Sequence, residues 1–188
     1  MMSIVDAAIH FATAAHAGQT RKAKQTPYIL HPLEVGAIVA TMTDDLEVIA
    51  AAILHDTVED TATTVEDIDR EFGPRVAELV AHESEDKRED QPAHETWRIR
   101  KQETIDQLRS APEEVLMITL ADKLSNVRSM YIDQQQVGEQ LWQRFNQQDP
   151  AQHHWYYQAI ADATRPLHAH PAWQEYQECV TKVFATGE

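Results

Sequence analysis

The sequence predicts an all-α protein, and three observations support this prediction. Apolar residues recur at helical spacings of three and four along most of the 188 residues, and no segment alternates convincingly with a period of two. Glycine is scarce, with five residues in the chain, which disfavours a turn-rich all-β fold. The composition, 43% hydrophobic and 25% charged, is that of an ordinary globular protein. We therefore expect residues 1–188 to form a single domain of about eight helices.

The N-terminal half contains four predicted helices. Proline is favoured at the first helical position, so His31-Pro32 predicts a helix start, and apolar spacing continues this helix through residues 35–42. A second apolar stripe covers residues 46–54. Residues 63–66, with the sequence TTVE, are typical of a capping box before a third helix. Gly73-Pro74 then predicts the end of that helix and the beginning of a fourth.

The C-terminal half is predicted to contain four more helices. Pro112 precedes a helix from residue 113 to about residue 131 whose apolar side chains cover most of its circumference, so we expect this helix to be central. Before this helix we expect a polar, mobile connection at residues 82–96 and a charged helix at residues 97–108. After it we expect a loop or frayed helix rich in Gln and Asp at residues 133–152, and two final helices at residues 155–164 and 172–184.

Charge and cysteine content exclude several classes of function. Sixteen basic and 31 acidic residues give a formal charge of −15, which repels nucleic acids and anionic membranes. A polyanionic substrate would therefore require a local basic pocket or a metal ion. The single cysteine, Cys179, excludes an intrachain disulfide and a cysteine-based zinc site. No apolar run is long enough to span a bilayer and no secretory signal is present, so we expect a cytoplasmic protein.

Histidine and acidic side chains at separated positions indicate a metal site. His55-Asp56 follows directly on an apolar stripe, where a charged dyad is costly unless a cation compensates it. Asp122 lies within the most apolar predicted helix and also requires a cation, either Lys or Arg or a metal. Together with His31, these residues supply two imidazoles and two carboxylates without sulfur, a set that suits Mn²⁺, Fe²⁺, Mg²⁺ or Zn²⁺.

Two further acids and an amide are spaced to face the same site. Glu59 and Asp60 each follow one member of the His55-Asp56 dyad by four residues, so one further helical turn would point them the same way. A general base, or a group that orients a ligand, is expected at such a position. Asn126 follows Asp122 by four residues and shares its helix face, from which its amide could bond to a sugar hydroxyl.

A basic cluster precedes His31 in the sequence. Arg21, Lys22 and Lys24 compose it, and Lys87 could add to it. A guanidinium can stack on a base and still donate hydrogen bonds to phosphate. Structural explanations remain open for all these features: a solvated loop for the basic cluster, a helix cap for His31, a solvated helix end for Glu59-Asp60, and an ion pair with Lys123 or Arg128 for Asp122.

Six linked motifs between about residues 5 and 130 carry a family resemblance. The chain resembles the HD-domain metal-dependent phosphohydrolases, and more closely the hydrolase domain of the RelA/SpoT family and its stand-alone small alarmone hydrolases. The matching stretches are HAGQTRK (16–22), TPYILHP (26–32), AILHDTVEDT (52–61), FG (72–73), SEDK (84–87) and ADKLSNVR (121–128). The implied fold is an HD-type helical bundle.

The resemblance implies a reaction and a role for each matching residue. It implies a divalent metal, usually Mn²⁺, held by His31, His55, Asp56 and Asp122, and water oriented or activated by Glu59 and Asp60. It also implies that Arg21 and Lys22 contact the purine and phosphates, and that Asn126 contacts the ribose. The implied reaction removes the 3′-pyrophosphate of guanosine tetra- or pentaphosphate, giving GDP or GTP and pyrophosphate. Because 188 residues leave no room for a synthetase domain, we expect a hydrolase only.

The chain departs from the family pattern in two places, and other functions remain open. Residues 82–86 are more acidic than expected beside a pyrophosphate pocket, and residues 23–25 lack the glycine that many relatives carry. Another nucleotide, such as NADPH hydrolysed at its 2′-phosphate, and a catalytically silent nucleotide-binding module are the alternatives. The expected partner is a small nucleotide, with no nucleic acid or membrane, and homo-oligomerisation stays open.

The sequence also gives expectations for several aromatic and histidine residues. We expect His16 to support its loop by packing rather than to bind a metal. Trp155, Tyr156 and Tyr157 are expected in the core, with the wall of a base pocket as the alternative. The remaining histidines are expected at the surface: His10, His82, His94, His153, His154, His168 and His170.

Overall fold

The computed structural model describes residues 2–85, 87–88 and 90–185, and within these ranges the chain is all-α, as predicted. Ten α-helices are present in the described part, together with two short 3₁₀ turns and one isolated β-bridge between Thr20 and Pro27. Asp86 and Glu89, from the predicted polar connection, lie outside the described residues. No helix among the described residues is both long and apolar enough to cross a membrane.

The chain divides into two compact units, each described here by itself. The first unit contains residues 1–84 and 117–122, and the second contains residues 85–116 and 123–188. Helix α8, Glu113–Val137, contributes to both units. That residues 1–188 function as one domain stays a prediction.

The first unit is built around a helix whose last seven residues are apolar and buried. The helices of this unit are α1 Ile4–Ala15, α2 Leu30–Val39, α3 Leu46–Leu54, α4 Thr57–Asp60, α5 Val65–Phe72 and α6 Pro74–Glu83. Helix α3 is buried from Val48 to Leu54, and α1, α2 and α6 pack against it. Gly36 allows α2 to approach α3 closely, since a Cβ atom at residue 36 would lie 2.4 Å from Cγ1 of Ile53 on α3. Apolar packing thus brings the chain near His31 to the chain near His55.

The second unit consists of three helices, with aromatic side chains packed between them, and the rest of α8. Its helices are α7 Ala93–Leu108, α9 Pro150–Ala163 and α10 Pro171–Phe184, with 3₁₀ turns at Gly138–Arg144 and Arg165–Leu167. Tyr157 is buried and stacks on Tyr176, at a centroid distance of 6.2 Å. Tyr156 is also buried, and Trp155 is half-buried with the Arg98 guanidinium 3.2 Å from its ring centroid. The two tyrosines therefore contribute to the core of this unit.

Some helix boundaries differ from the prediction. The capping box uses Thr64 and Asp67, one residue later than predicted, because Thr64 is the residue whose side chain accepts from Asp67 N. Helix α8 continues to Val137 and a 3₁₀ turn follows it, so much of residues 133–152, predicted as a loop or frayed helix, is helical. Likewise α7 begins at Ala93, inside the predicted connection. Gly73, with φ of 88°, and Pro74 end α5 and begin α6 as predicted.

The prediction that His153 is a surface residue is wrong. Its side chain is buried in the second unit, and its Nε2 lies 2.8 Å from the carbonyl oxygen of Gln147. Its ring also lies 5.3 Å from the Trp97 ring and 5.0 Å from the Phe145 ring. A histidine whose ring meets aromatic neighbours and whose nitrogen meets a carbonyl is satisfied in the core, which the local sequence does not reveal.

Candidate metal centre

Three separate segments of the first unit bring two imidazoles and two carboxylates together. His31 lies in the first turn of α2, His55 and Asp56 follow the last residue of α3, and Asp122 lies in α8. Nε2 of His31 is 3.1 Å from Oδ1 of Asp122 and 3.5 Å from Oδ2 of Asp56. Nε2 of His55 is 3.0 Å from Oδ2 of Asp56 and 3.8 Å from Oδ1 of Asp122.

The tautomer of His55 is fixed by its backbone contact. Its Nδ1 lies 2.8 Å from the carbonyl oxygen of Ala52, and because a carbonyl only accepts, Nδ1 carries a proton and donates it. Nε2 therefore faces the carboxylates, and it is buried without a hydrogen-bond partner of suitable geometry among the described residues. A nitrogen lone pair 3.0 Å from a carboxylate oxygen is repelled unless a cation, either a proton or a metal, lies between them.

The charges of this cluster shift the pKa values of its members in opposite directions. Burial alone would lower the pKa of His55, but the carboxylates of Asp56 and Asp122 outweigh burial and raise it to about 10. For Asp56, burial would raise the pKa, and the imidazoles of His55 and His31 outweigh burial and lower it. The cluster therefore favours the charged form of Asp56, and this negative charge attracts a cation.

The geometry fits a divalent metal ion. One ligand atom from each of His31, His55 and Asp122 can be chosen so that all three lie within 4.8 Å of one another. Ligands about 2.1 Å from a shared ion are separated by at most about 4.2 Å, and the four nitrogen–oxygen distances given above lie within this limit. Imidazole nitrogens and carboxylate oxygens without sulfur suit Mn²⁺, Fe²⁺, Mg²⁺ or Zn²⁺. The described residues thus contain a possible divalent metal site.

The acid pair follows the dyad on a further helical turn. The backbone N–H of Asp60 donates to the carbonyl oxygen of Asp56 at 2.9 Å, so the helical geometry assumed from the sequence is present here. Asp60 and Glu59 are both half-buried in α4. Oδ2 of Asp60 and Oδ2 of Asp56 face the same hydroxyl group, that of Tyr28. The carboxylate of Asp60 therefore lies near that of Asp56, a proposed metal ligand, and both contact the Tyr28 hydroxyl.

Tyr28 is a residue whose importance the sequence analysis missed. Its hydroxyl donates to Asp56 Oδ2 at 2.6 Å and lies 3.2 Å from Asp60 Oδ2. Burial, followed by the charge of Asp56, raises the pKa of Tyr28, so the hydroxyl keeps its proton. Its place three residues before His31, within the motif TPYILHP, was the available signal, although nothing in the sequence shows where its hydroxyl points.

A partly buried contact between Thr119 and Glu83 was also not predicted from the sequence. Thr119, one turn before Asp122 on α8, donates from its hydroxyl to Oε1 of Glu83 at 2.7 Å. The charge of Glu83 contributes to the raised pKa of His55. Glu83 therefore connects the part of α8 that carries Asp122 with the electrostatics of the imidazole.

The predicted substrate-binding residues divide between the two units. In the first unit, Arg21 is half-buried with its Cζ 5.7 Å from the Tyr28 ring centroid, and Lys22 is exposed. In the second unit, Lys87 and Asn126 are half-buried, and Asn126 lies one turn after Asp122 on α8. His16 is buried and its Nδ1 contacts Oε1 of Gln19 at 2.8 Å, as expected of a residue that supports a loop.

One of the acidic residues that precede Lys87, Glu85, forms ion pairs within the second unit. Within the second unit, Glu85 contacts Nη1 of Arg100 at 2.8 Å and Nζ of Lys101 at 2.5 Å. Burial would raise the pKa of Glu85, but Lys101, Lys123 and Arg100 outweigh burial and lower it. The negative charge of Glu85 is thus largely neutralised by these cations.

Arg128, which the sequence offered as an alternative ion-pair partner for Asp122, contacts Glu175 through two hydrogen bonds of 2.7 Å.

Comparison with known proteins identifies the family. The HD-domain family profile matches residues 8–148, so the chain belongs to the HD-domain family. The chain is 34% identical to a Listeria monocytogenes protein of known crystal structure, with a TM-score of 0.73, and the match covers 85% of this chain and 97% of that one. It is 27% identical, with a TM-score of 0.74, to a metazoan orthologue of SpoT that hydrolyses ppGpp, and the match covers 94% and 93% of the two chains.

Longer bacterial proteins show the same relationship. The chain is 41% identical over 123 residues to a guanosine-3′,5′-bis(diphosphate) 3′-pyrophosphohydrolase from Vibrio cholerae, a match that covers 62% of this chain. It is 35% identical over 137 residues to the enzyme of the same name from Aquifex aeolicus, a match that covers 73% of this chain. The chain matches only 16% and 19% of the lengths of these two relatives.

Proposed function

We propose that this chain is a metal-dependent hydrolase that removes the 3′-pyrophosphate of guanosine tetra- or pentaphosphate. The observation that carries the proposal is the cluster of His31, His55, Asp56 and Asp122 within contact distance, with Asp60 beside it. Relatives of similar length and longer bacterial relatives include proteins named for this reaction or described as hydrolysing ppGpp. The fold and the donor set are both suited to it.

The reaction exchanges one phosphorus–oxygen bond for another. The oxygen of a water molecule attacks the phosphorus atom attached to the ribose 3′-oxygen, and the bond from that phosphorus to the 3′-oxygen breaks. Pyrophosphate departs with the water oxygen, and the 3′-oxygen takes up a proton to give GDP or GTP. A base must accept a proton from water, and an acid must return one to the leaving oxygen.

The four clustered side chains are proposed to hold one Mn²⁺ ion. When bound, such an ion would lower the pKa of its water and withdraw charge from a phosphoryl oxygen. Asp60 and Glu59 are proposed to orient the attacking water and accept its proton, a role that suits carboxylates beside the ligand cluster. The hydrogen bond from His55 Nδ1 to Ala52 holds the imidazole in the orientation needed for ligation through Nε2.

Substrate binding must overcome the charge of the protein. A net charge of −15 repels a nucleotide polyphosphate, so local cations have to compensate. We assign Arg21 and Lys22 to the purine and phosphates and Asn126 to the ribose, as the family resemblance implies. We assign Lys87 to the anionic groups because its charge adds to that of the basic cluster. The same charge supports a small nucleotide, rather than nucleic acid or membrane, as the partner, and we infer a cytoplasmic location.

The substrate is tested with purified protein loaded with Mn²⁺. Guanosine tetraphosphate and NADPH are supplied in separate reactions, and the release of pyrophosphate and of orthophosphate is measured. Release of pyrophosphate from guanosine tetraphosphate, with NADPH unchanged, supports the proposal. Orthophosphate from NADPH alone would assign the chain a different nucleotide substrate, and no turnover of either would favour a binding module.

The site is tested with a pair of aspartate variants. Asp56→Ala removes a proposed metal ligand and is expected to abolish turnover, because the remaining donors no longer neutralise and hold the ion. Asp69→Ala is the matched control, since Asp69 is exposed on α5. We expect the control to retain the wild-type rate. Unchanged turnover in Asp56→Ala would show that the chemistry takes place elsewhere.

A further inference from the structure

One hydroxyl group lies between two carboxylates that have different proposed tasks. The Tyr28 hydroxyl oxygen is 2.6 Å from Oδ2 of Asp56, a proposed metal ligand. It is 3.2 Å from Oδ2 of Asp60, which is proposed to act on the attacking water. A phenol has a single proton to donate, so the shorter contact is the main hydrogen bond and the second carboxylate is held more weakly. Tyr28 is half-buried, and its ring also lies 5.8 Å from that of His31.

The loop that carries Tyr28 is itself fixed. Residues 16–28, named here the clamp loop, close on a hydrogen bond from the backbone N–H of Tyr28 to the carbonyl oxygen of Gln19 at 3.0 Å. A second bond joins the N–H of Arg21 to the carbonyl oxygen of Thr26 at 2.9 Å. The ring of His16 packs 4.9 Å from the ring of Tyr28. These contacts therefore fix the position of the backbone that carries the Tyr28 side chain.

The clamp loop holds Asp60 at two separate points. The side-chain amide of Gln19 donates to the backbone carbonyl oxygen of Asp60 at 2.8 Å, while Tyr28 faces the carboxylate of the same residue. The Gln19 amide is in turn held by Nδ1 of His16, which contacts its Oε1. Both the backbone and the side chain of Asp60 are thus located by one segment that is distant from it in sequence.

We propose that Tyr28 is a positioning residue that fixes the carboxylates of Asp56 and Asp60 relative to each other. This inference rests on the proposed function, in which Asp56 ligates the metal and Asp60 acts on water. The hydroxyl sets the orientation of the metal ligand through the short hydrogen bond and that of the acid through the longer one. Arg21 and Lys22, the proposed substrate contacts, belong to the same loop as Tyr28.

Tyr28→Phe removes the hydroxyl and keeps the ring, so it tests the proposal directly. Groups that orient metal ligands typically contribute about 10- to 100-fold to metal affinity or activity. We expect Mn²⁺ affinity, measured by calorimetric titration, to fall about 10-fold, and kcat to fall about 10-fold or more with KM nearly unchanged. Tyr176→Phe is the matched control, because Tyr176 belongs to α10 of the second unit and its buried hydroxyl donates to the backbone carbonyl oxygen of Tyr157 at 2.8 Å.

A double-mutant cycle separates positioning from general support of the fold. If Tyr28 acts through Asp60, Tyr28→Phe should lower kcat much less in an Asp60→Asn background than in the wild type. Losses of kcat that multiply across the two variants would overturn the proposed action on Asp60. Wild-type Mn²⁺ affinity in Tyr28→Phe would overturn the proposed action on Asp56.

A second variant keeps the test decisive if Tyr28→Phe fails to fold. Gln19→Met removes the bond to the Asp60 carbonyl but leaves the hydroxyl contact with Asp56. We expect it to lower kcat and leave Mn²⁺ affinity unchanged, and wild-type kcat would contradict the role of the clamp loop. The Mn²⁺ titrations do not depend on the substrate, so they test the Tyr28–Asp56 contact even if guanosine tetraphosphate is not hydrolysed.

Discussion

Metal binding should release the proton that His55 otherwise holds. In the metal-free protein the carboxylates of Asp56 and Asp122 raise the pKa of His55 to about 10, so Nε2 is protonated at neutral pH. Because Nδ1 already donates to Ala52, Nε2 is the nitrogen left to bind an ion, and an ion must displace that proton. Below the raised pKa, affinity therefore increases with pH. From about pH 7 to about pH 8.5 we expect the association constant to rise about 30-fold, or about 2 kcal/mol.

Calorimetric titration of Mn²⁺ measures both the affinity and the proton. Titrations at several pH values, each in two buffers of different ionisation enthalpy, give the number of protons released per ion, and we expect about one. His168→Gln is the control, because His168 is exposed and belongs to the second unit, so its removal should leave the proton count unchanged. An association constant that stays flat across this pH range, or binding without proton release, would refute the reasoning.

Three further variants test the packing, the clamp loop and the acid pair. Gly36→Ala places a Cβ 2.4 Å from Cγ1 of buried Ile53, so it should lower the free energy of unfolding by about 1–3 kcal/mol in urea denaturation; an unchanged value would contradict the close helix approach. Ala23 has a φ of 59°, so Ala23→Gly should raise the melting temperature by relieving left-handed strain; a lower melting temperature would show that this strain is absent. Glu59→Gln should retain the metal and lose rate by about 100-fold if Glu59 transfers a proton; loss of metal would make Glu59 a ligand instead.

The parts of the fold that sequence predicts best are those controlled by local chemistry. Gly73 and Pro74 end one helix and begin the next for reasons contained in the two residues themselves. The buried helix α3 follows from an uninterrupted run of apolar residues. Helix α1 was not predicted, because the residues that it buries completely are the alanines Ala8 and Ala12, which give a weak apolar stripe.

The candidate site shows a similar division. Charged residues in apolar surroundings require compensation, so the sequence indicated that His31, His55, Asp56 and Asp122 belong together, and the structure places them within contact distance. Their role as metal ligands stays a prediction. The contact of Tyr28 with both acids depends on how the clamp loop closes between α1 and α2. A side-chain direction set by tertiary contacts leaves no periodic signal in the sequence.

Four side chains from three segments are proposed to bind one divalent ion. Crystals of the protein soaked in Mn²⁺, with diffraction recorded at the manganese absorption edge, test it most directly. We predict one anomalous peak per chain, about 2.0–2.3 Å from Nε2 of His31, Nε2 of His55 and a carboxylate oxygen of Asp56 and of Asp122. A peak elsewhere, or no peak at a site where these four side chains still face one another, would contradict the account.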